Sequence, residues 1–246
     1  MVVGGWIKQE AHSPFIGFLL ARFDSVNLEL KSLVIELFRY NKATYWLPNF
    51  RDTDFVPSNP LASSNESCFK LVYFSRVMRE KGIFEAIEVA SGLLASGWRC
   101  QLTIYGPLDF VCDEDLTLFK NKLSSNIKYK GLLQPNSMFY EELSMGDIML
   151  FPSTYPGEGF PGAIVDTFIA GLPVIASNWA YNSEIVINGR NGFIVDSPFA
   201  ASAVRVLQDI ISSKEIMKNA RREARESSFL YRRPAFLAWL EALKVA

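Results

Sequence analysis

The chain has 246 residues, 49% hydrophobic and 21% charged, which suits one large domain or two small ones and excludes the disordered and fibrous classes. A formal net charge of −1 removes the electrostatic case for wrapping nucleic acid, and no apolar run approaches the roughly 20 residues of a membrane span. A single histidine, His12, excludes a multi-histidine metal site within the chain. Cys68, Cys100 and Cys112 form no C-x-x-C pair, which argues for a reducing compartment and against a zinc site or a disulfide frame.

The chain opens on VVGGW (2–6), which looks like the end of a buried strand. Only Met1 precedes it, so the expectation is a lone strand without pairing partners and a chain that begins within a domain. His12 reads as a partly exposed helix-start residue. FIGFLLA (15–21) is apolar but short, and WIKQEAH before it is not the basic region of a signal peptide. DSVNLELKSLVIELFRYN (24–41) is expected to be one helix with an Asp-Ser start. NFRDTDFVPSNPLASSNES (49–67) is polar, holds two prolines and reads as a linker.

From residue 69 the pattern becomes regular. FKLVYFS (69–75), CQLTIYG (100–106), NIKYK (126–130), DIMLFP (147–152), PVIAS (173–177) and GFIVD (192–196) are strand candidates. Helical patterns lie between them, such as IFEAIEVASGLLAS (83–96), with apolar residues at i, i+3, i+4 and i+7. Gly97, Gly146, Gly171 and Gly189 sit where helices would stop, as suits a residue that tolerates positive φ. Six strands with helical crossovers predict an α/β fold, a doubly wound parallel sheet with helices on both faces. The tail from 198 reads as helices only. Its arginines in RREARE (221–226) and YRRP (231–234) read as a solvated helix surface, with contact to an anionic membrane surface as the alternative.

GEGFPG (157–162) satisfies the G-x-G-x-x-G pattern of a dinucleotide loop. That reading fails on position, since the fingerprint belongs to the first strand and this loop follows the fourth. It fails on charge, because Glu158 stands where a pyrophosphate would rest. No ribose-binding acid ends the next strand, which runs into Ser177 and Asn178. The loop still has the physics of a phosphate site. Pro161 suits the first turn of a helix, and Gly159 and Gly162 let a ligand approach free N–H groups. Asp166 lies on the flank of that helix between the small Gly162 and Ala170, which leaves space for a ligand at its carboxylate. Arg76, at the carboxyl end of the first strand, and Lys81, just before a helix, offer two cations to clamp a diphosphate.

EGFPGAIVD (158–166) resembles the E-x7-E signature of retaining GT-B glycosyltransferases, particularly glycosyltransferase family 4. SRVMREKG (75–82) is similar to that family's G-R-x-x-x-x-K-G loop. GLPVIASN (171–178), EIVINGRNGFIVD (184–196) and KGLLQPNSMFYEELSMGDIMLFPS (130–153) match its other segments in order. The resemblance implies that Arg76 and Lys81 bind and stabilise the donor diphosphate, with the backbone of Gly159, Phe160, Pro161 and Gly162 supporting the same phosphates. Glu158 would contact the donor sugar, Asp166 the ribose, and Leu132 and Leu133 the nucleobase. The implied enzyme transfers sugar from a nucleoside-diphosphate sugar to a carbohydrate or lipid-linked acceptor in surface polysaccharide or glycolipid synthesis. It uses no metal or cofactor, since the cations and the helix dipole meet the leaving-group charge. The implied place of work is the cytoplasm, including the inner face of a membrane.

Asp166 stands where the family has Glu, one methylene shorter. Residues 1–50 resemble the end of the family's N-terminal domain, 51–67 a linker, 68–228 the Rossmann-like nucleotide-sugar domain, and 229–246 the crossover helix. Most of the acceptor domain is then expected to lie outside the chain. This leaves open a non-catalytic or truncated subunit working with a partner chain, and a sugar-nucleotide epimerase of similar architecture.

Overall fold

The computed structural model describes residues 2–3, 14–56, 68–134 and 138–245. His12, residues 4–6 of the opening run and residues 57–67 of the polar stretch lie outside the described residues. All six expected strands form: β4 (Phe69–Phe74), β5 (Cys100–Tyr105), β6 (Ile127–Gly131), β7 (Ile148–Phe151), β8 (Val174–Ser177) and β9 (Gly192–Val195). They build one sheet in the order β6-β5-β4-β7-β8-β9, with every pairing parallel. β7 and β8 are wholly buried and β4 is buried except at Lys70 and Phe74, as expected of central strands covered by helices on both faces. Counted from β4, the order is 3-2-1-4-5-6, so the chain turns back between β4 and β7. Open α/β sheets bind ligands at the carboxyl ends of the strands at such a reversal.

Two glycines bring the loops there into contact. Gly106, at φ 138°, follows β5, and a Cβ on it would lie 1.8 Å from the Ser75 carbonyl oxygen. Gly82, at φ 78°, lies between a short 3-10 turn (Arg79–Lys81) and helix α3 (Ile83–Ala95). A Cβ there would lie 2.4 Å from the Pro152 carbonyl, so the 76–82 loop is pressed onto the end of β7. Of the four expected helix-stop glycines, Gly97, Gly171 and Gly189 have positive φ. Gly146 does not; it is excluded from bearing a side chain by Val72, 2.4 Å from where a Cβ would stand.

The N-terminal part departs from expectation. Val2–Val3 (β1) is not a lone strand. It pairs in parallel with β2 (Val26–Leu28), which pairs in parallel with β3 (Thr44–Trp46). The segment 24–41 is therefore not one helix. Val26 and Leu28 alternate inward in a strand paired to β3 along its length and to β1 at Asn27 and Leu28, and helix α2 begins only at Lys31 (Lys31–Leu37). Leu28, Leu30 and Leu33 share one continuous core with Ile164, Phe168 and Ile185 of the larger sheet's layer.

Nor is the whole tail arginine cluster a solvated face. In the helix Lys214–Ser228, Arg221 is 3% exposed and donates to the Gly146 carbonyl, with Asp147 Oδ1 at 3.4 Å. Burial pulls its pKa below the ordinary arginine value. Arg232 is buried too, donating to Ser228 Oγ at 2.8 Å and to the Phe55 carbonyl at 2.6 Å. No helix among the described residues is long and apolar enough to cross a membrane. Arg221→Ala removes the buried guanidinium that faces Asp147 and the Gly146 carbonyl and is expected to cost about 3–5 kcal/mol of unfolding free energy. Arg222→Ala on the exposed side of the same helix should cost less than about 1 kcal/mol, both read from urea titrations.

Candidate functional site

The loops leaving β4 and β7 at the reversal carry the charged residues singled out from the sequence. After β4, the buried Tyr73 hydroxyl donates to the Arg76 carbonyl (2.8 Å) with the Lys81 carbonyl also in reach at 3.3 Å, so one side chain touches both ends of the 76–81 loop. Burial raises the Tyr73 pKa far above the ordinary tyrosine value and keeps it a donor. The Val77 N–H donates to the Pro107 carbonyl and the Asp109 N–H to the Val77 carbonyl, tying this loop to the neighbouring 106–109 loop. Arg76 then reaches Asp109 Oδ2 at 2.8 Å while staying 42% exposed. Its guanidinium also sits 4.9 Å from the centre of the Tyr155 ring.

Lys81 points elsewhere. Its side chain is 9% exposed and its Nζ lies 2.9 Å from Glu158 Oε1 and 2.7 Å from Oε2. Ser153, fully buried, donates its hydroxyl to Glu158 Oε2. Lys81 and Glu158, expected to meet different parts of a ligand, meet each other. A carboxylate this buried needs a counter-charge, and Lys81 supplies it. Oε2 already has two partners and Oε1 one, so Oε1 is the oxygen with acceptor capacity left. Tyr155 organises both cations, since Lys81 Nζ stands 4.6 Å from the same ring that Arg76 faces.

Helix α6 (Gly162–Ile169) starts where the glycine loop ends, one residue later than expected, with Pro161 as its cap residue. No side chain caps it, so first-turn N–H groups remain as donors. The Phe160 side chain is buried away from this start, edge-on to Tyr231 at 5.6 Å. Asp166 is 7% exposed, and its carboxylate is engaged by protein side chains. Arg51, from the stretch expected to be a plain linker, sends Nε to Oδ1 at 2.8 Å and Nη2 to Oδ2 at 3.0 Å. Tyr140 adds its hydroxyl to Oδ1 at 3.1 Å. Burial first, and the adjoining Asp166 charge second, push the Tyr140 hydroxyl well above the ordinary range. The smallness of Gly162 serves Arg51: a Cβ there would lie 2.5 Å from Nη2.

Arg51, Arg76, Gly106, Leu132, Leu133, Gly162, Ala163 and Asp166 line an open cleft of about 250 Å³ at the β4–β7 reversal. The structure thus brings Arg76, Leu132, Leu133, Gly162 and Asp166 to one cleft and sets Lys81 and Glu158 as a buried pair beside it. A smaller cavity of about 110 Å³ lies between Trp46, Phe160, Glu184 and Tyr231, lined by neither Arg76 nor any residue of α6. Among the described residues no group of three or more His, Cys, Asp or Glu side chains is placed to hold a metal ion. Sequence reasoning missed Arg51, Asp109, Tyr140 and Tyr155. Only Tyr155, two residues before the glycine loop, lay within reach of a local signal.

A family model described as glycosyl transferases group 1 matches residues 62–227. The capsular polysaccharide biosynthesis glycosyltransferase CapM of Staphylococcus aureus is 25% identical over 150 residues, which is 60% of this chain and 38% of CapM. The amylovoran biosynthesis glycosyltransferase AmsK of Erwinia amylovora is 25% identical over 142 residues, 56% of this chain and 35% of AmsK. The chain therefore spans well under half the length of these two curated relatives. Among solved structures, TarM of S. aureus superposes with a TM-score of 0.71 at 19% identity, covering 95% of this chain and 45% of TarM. Anabaena Alr3699/HepE, solved in complex with UDP and glucose, gives 0.70 at 16% identity, covering 99% of this chain and 70% of that one. At these identities the likeness is one of fold, and the GT-B type α/β fold expected from the motifs is borne out.

Because Lys81 and Glu158 neutralise each other in a buried setting, Lys81→Met should cost about 3–5 kcal/mol in urea unfolding by leaving a buried carboxylate unpaired. Adding Glu158→Gln to that variant should restore part of the loss, and additive single effects would show that the pair is uncoupled.

Proposed function

The chain belongs to the glycosyl transferases group 1 family, and on that premise we propose that its cleft binds a nucleoside-diphosphate sugar. The sugar passes, with retention, to a hydroxyl of a carbohydrate or lipid-linked acceptor in polysaccharide or glycolipid synthesis. The observation that carries this reading is the meeting of Arg76 with the uncapped start of α6 at the β4–β7 reversal. A diphosphate laid there meets a guanidinium from one loop and backbone N–H groups with the positive helix end from the other.

The chemistry asked of the chain is electrostatic. As the bond from the anomeric carbon to the diphosphate oxygen breaks, negative charge grows on the leaving diphosphate. Arg76 and the α6 start lie where that charge would be met, and Lys81 adds field from beside the cleft. In this reading no metal ion is required. Glu158, held by Lys81 and Ser153, offers Oε1 to a sugar hydroxyl and so orients the donor rather than its phosphates. The apolar edges of Leu132 and Leu133 receive the base. The acceptor hydroxyl gives up its proton as it bonds to the anomeric carbon, and the departing diphosphate is the nearest base for it. The nucleotide complex of Anabaena HepE and the names of CapM and AmsK support the donor class and the pathway.

UDP, GDP or ADP at a hundredfold excess over its dissociation constant should stabilise the chain by about 2.7 kcal/mol, a melting shift of several degrees. Arg76→Ala, at an exposed position, should reduce the shift without changing the melting temperature of the free chain, and the Arg76→Ala/Lys81→Ala pair should abolish it. A chain indifferent to all three nucleotides contradicts the donor-site reading.

A further inference from the structure

Asp166 is the carboxylate best placed in the cleft to accept hydroxyls of a bound nucleotide, yet it is already engaged. A carboxylate offers about four lone-pair sites. Three are used: Oδ1 accepts from Arg51 Nε at 2.8 Å and Tyr140 Oη at 3.1 Å, and Oδ2 accepts from Arg51 Nη2 at 3.0 Å. A ribose diol brings two donors to the one site left. It can be met in full only if a present partner leaves.

Arg51 is the partner able to leave. Tyr140 is held within the aromatic group of Phe55 and Phe139, 5.3 and 4.9 Å away. The Arg51 side chain is 29% exposed, and its other partners, Asn49 Oδ1 and the Phe50 carbonyl, belong to its own segment. Its backbone stays fastened when the side chain swings, because Arg51 N–H donates to the Tyr231 carbonyl at 2.7 Å and Arg232 holds the Phe55 carbonyl at 2.6 Å. The motion required is a rotamer change at the cleft's rim and nothing larger.

We infer that Arg51 sets the nucleotide affinity and sugar selectivity of this cleft by occupying the Asp166 carboxylate that the ligand's ribose hydroxyls must share. This rests on the reading of the cleft as a nucleotide site. Arg51 is a positioning residue: it decides when the carboxylate is available. Ribose recognition is attenuated in the parent chain, since hydroxyls gained by Asp166 are offset by the bidentate bonds given up. Arg51→Gln removes the fork and the charge while keeping a polar side chain able to bond to Asn49.

The test is calorimetric titration of the full chain and of Arg51→Gln with UDP, GDP and ADP, each against its 2′,3′-dideoxy form. The parent should separate the ribo and dideoxy forms of the best-bound base only weakly. Arg51→Gln should bind the ribo form about tenfold more tightly, the value of one hydrogen bond to a charged acceptor, with the dideoxy form unchanged. Arg51→Lys keeps the charge without the fork and should fall between, which covers the case in which Arg51→Gln folds poorly. A merely structural role for Arg51 would move both ligand forms together. Equal changes in the two forms, or weaker ribonucleotide binding in both variants, overturn the inference while leaving the cleft assignment standing. Absence of binding by every nucleotide to the parent chain overturns both.

Discussion

At the β4–β7 pair the chain leaves the sheet in opposite directions, one loop running toward β5 and the other toward β8. Parallel strands joined by right-handed crossovers cannot close that gap, because each crossover helix lies over its own side of the sheet. The gap opens at the carboxyl ends of the strands, where peptide N–H groups of the next helix and the tips of two loops converge. Arg76, the α6 start and the Gly106 turn are assembled by this one topological fact. The Ser75 carbonyl lies so close to Gly106 that no other residue fits.

Charge at the cleft is arranged in couples. Lys81 with Glu158 and Arg51 with Asp166 each put a largely buried carboxylate against a cation from a distant part of the chain. An isolated carboxylate in either place would cost several kcal/mol of solvation, so each acid's presence dictates its partner. The couples differ in mobility. Lys81 is enclosed with Ser153 and Tyr155, which makes Glu158 a fixed acceptor. Arg51 sits at the rim with a solvent-facing edge, which makes Asp166 an acceptor that can be vacated.

The N-terminal sheet and the C-terminal helices are welded to this centre by segments far apart in sequence. Phe50 stacks on Phe236 at 3.9 Å, the Arg51 and Arg232 backbones pair in an isolated parallel β-bridge, and Arg221 reaches the turn before β7. Apolar residues of β2 and α2 run without interruption into those of α6. The segment that crosses between the two sheets is thereby also a wall of the cleft. A stretch rich in Asp, Arg and Asn could be a tether, and here its first residues are fastened on two sides.

Strand and helix periodicity by themselves determined the six-stranded sheet, its parallel sense and the helical tail, because fully buried strands write continuous apolar runs and crossover helices write a 3.6-residue repeat. Local chemistry likewise marked Arg76, the glycine turn and both acids, since a strand-end cation and a glycine-led helix start are features of adjacent residues. What no local pattern could carry was pairing. Asn27 and Leu28 fit a helix until β1 and β3 take them from either side. Arg51 and Asp166 are separated by 115 residues, and Lys81 and Glu158 by 77. Which cation neutralises which acid is settled by the desolvation cost of burying a charge, and that cost exists only once the fold has closed around it.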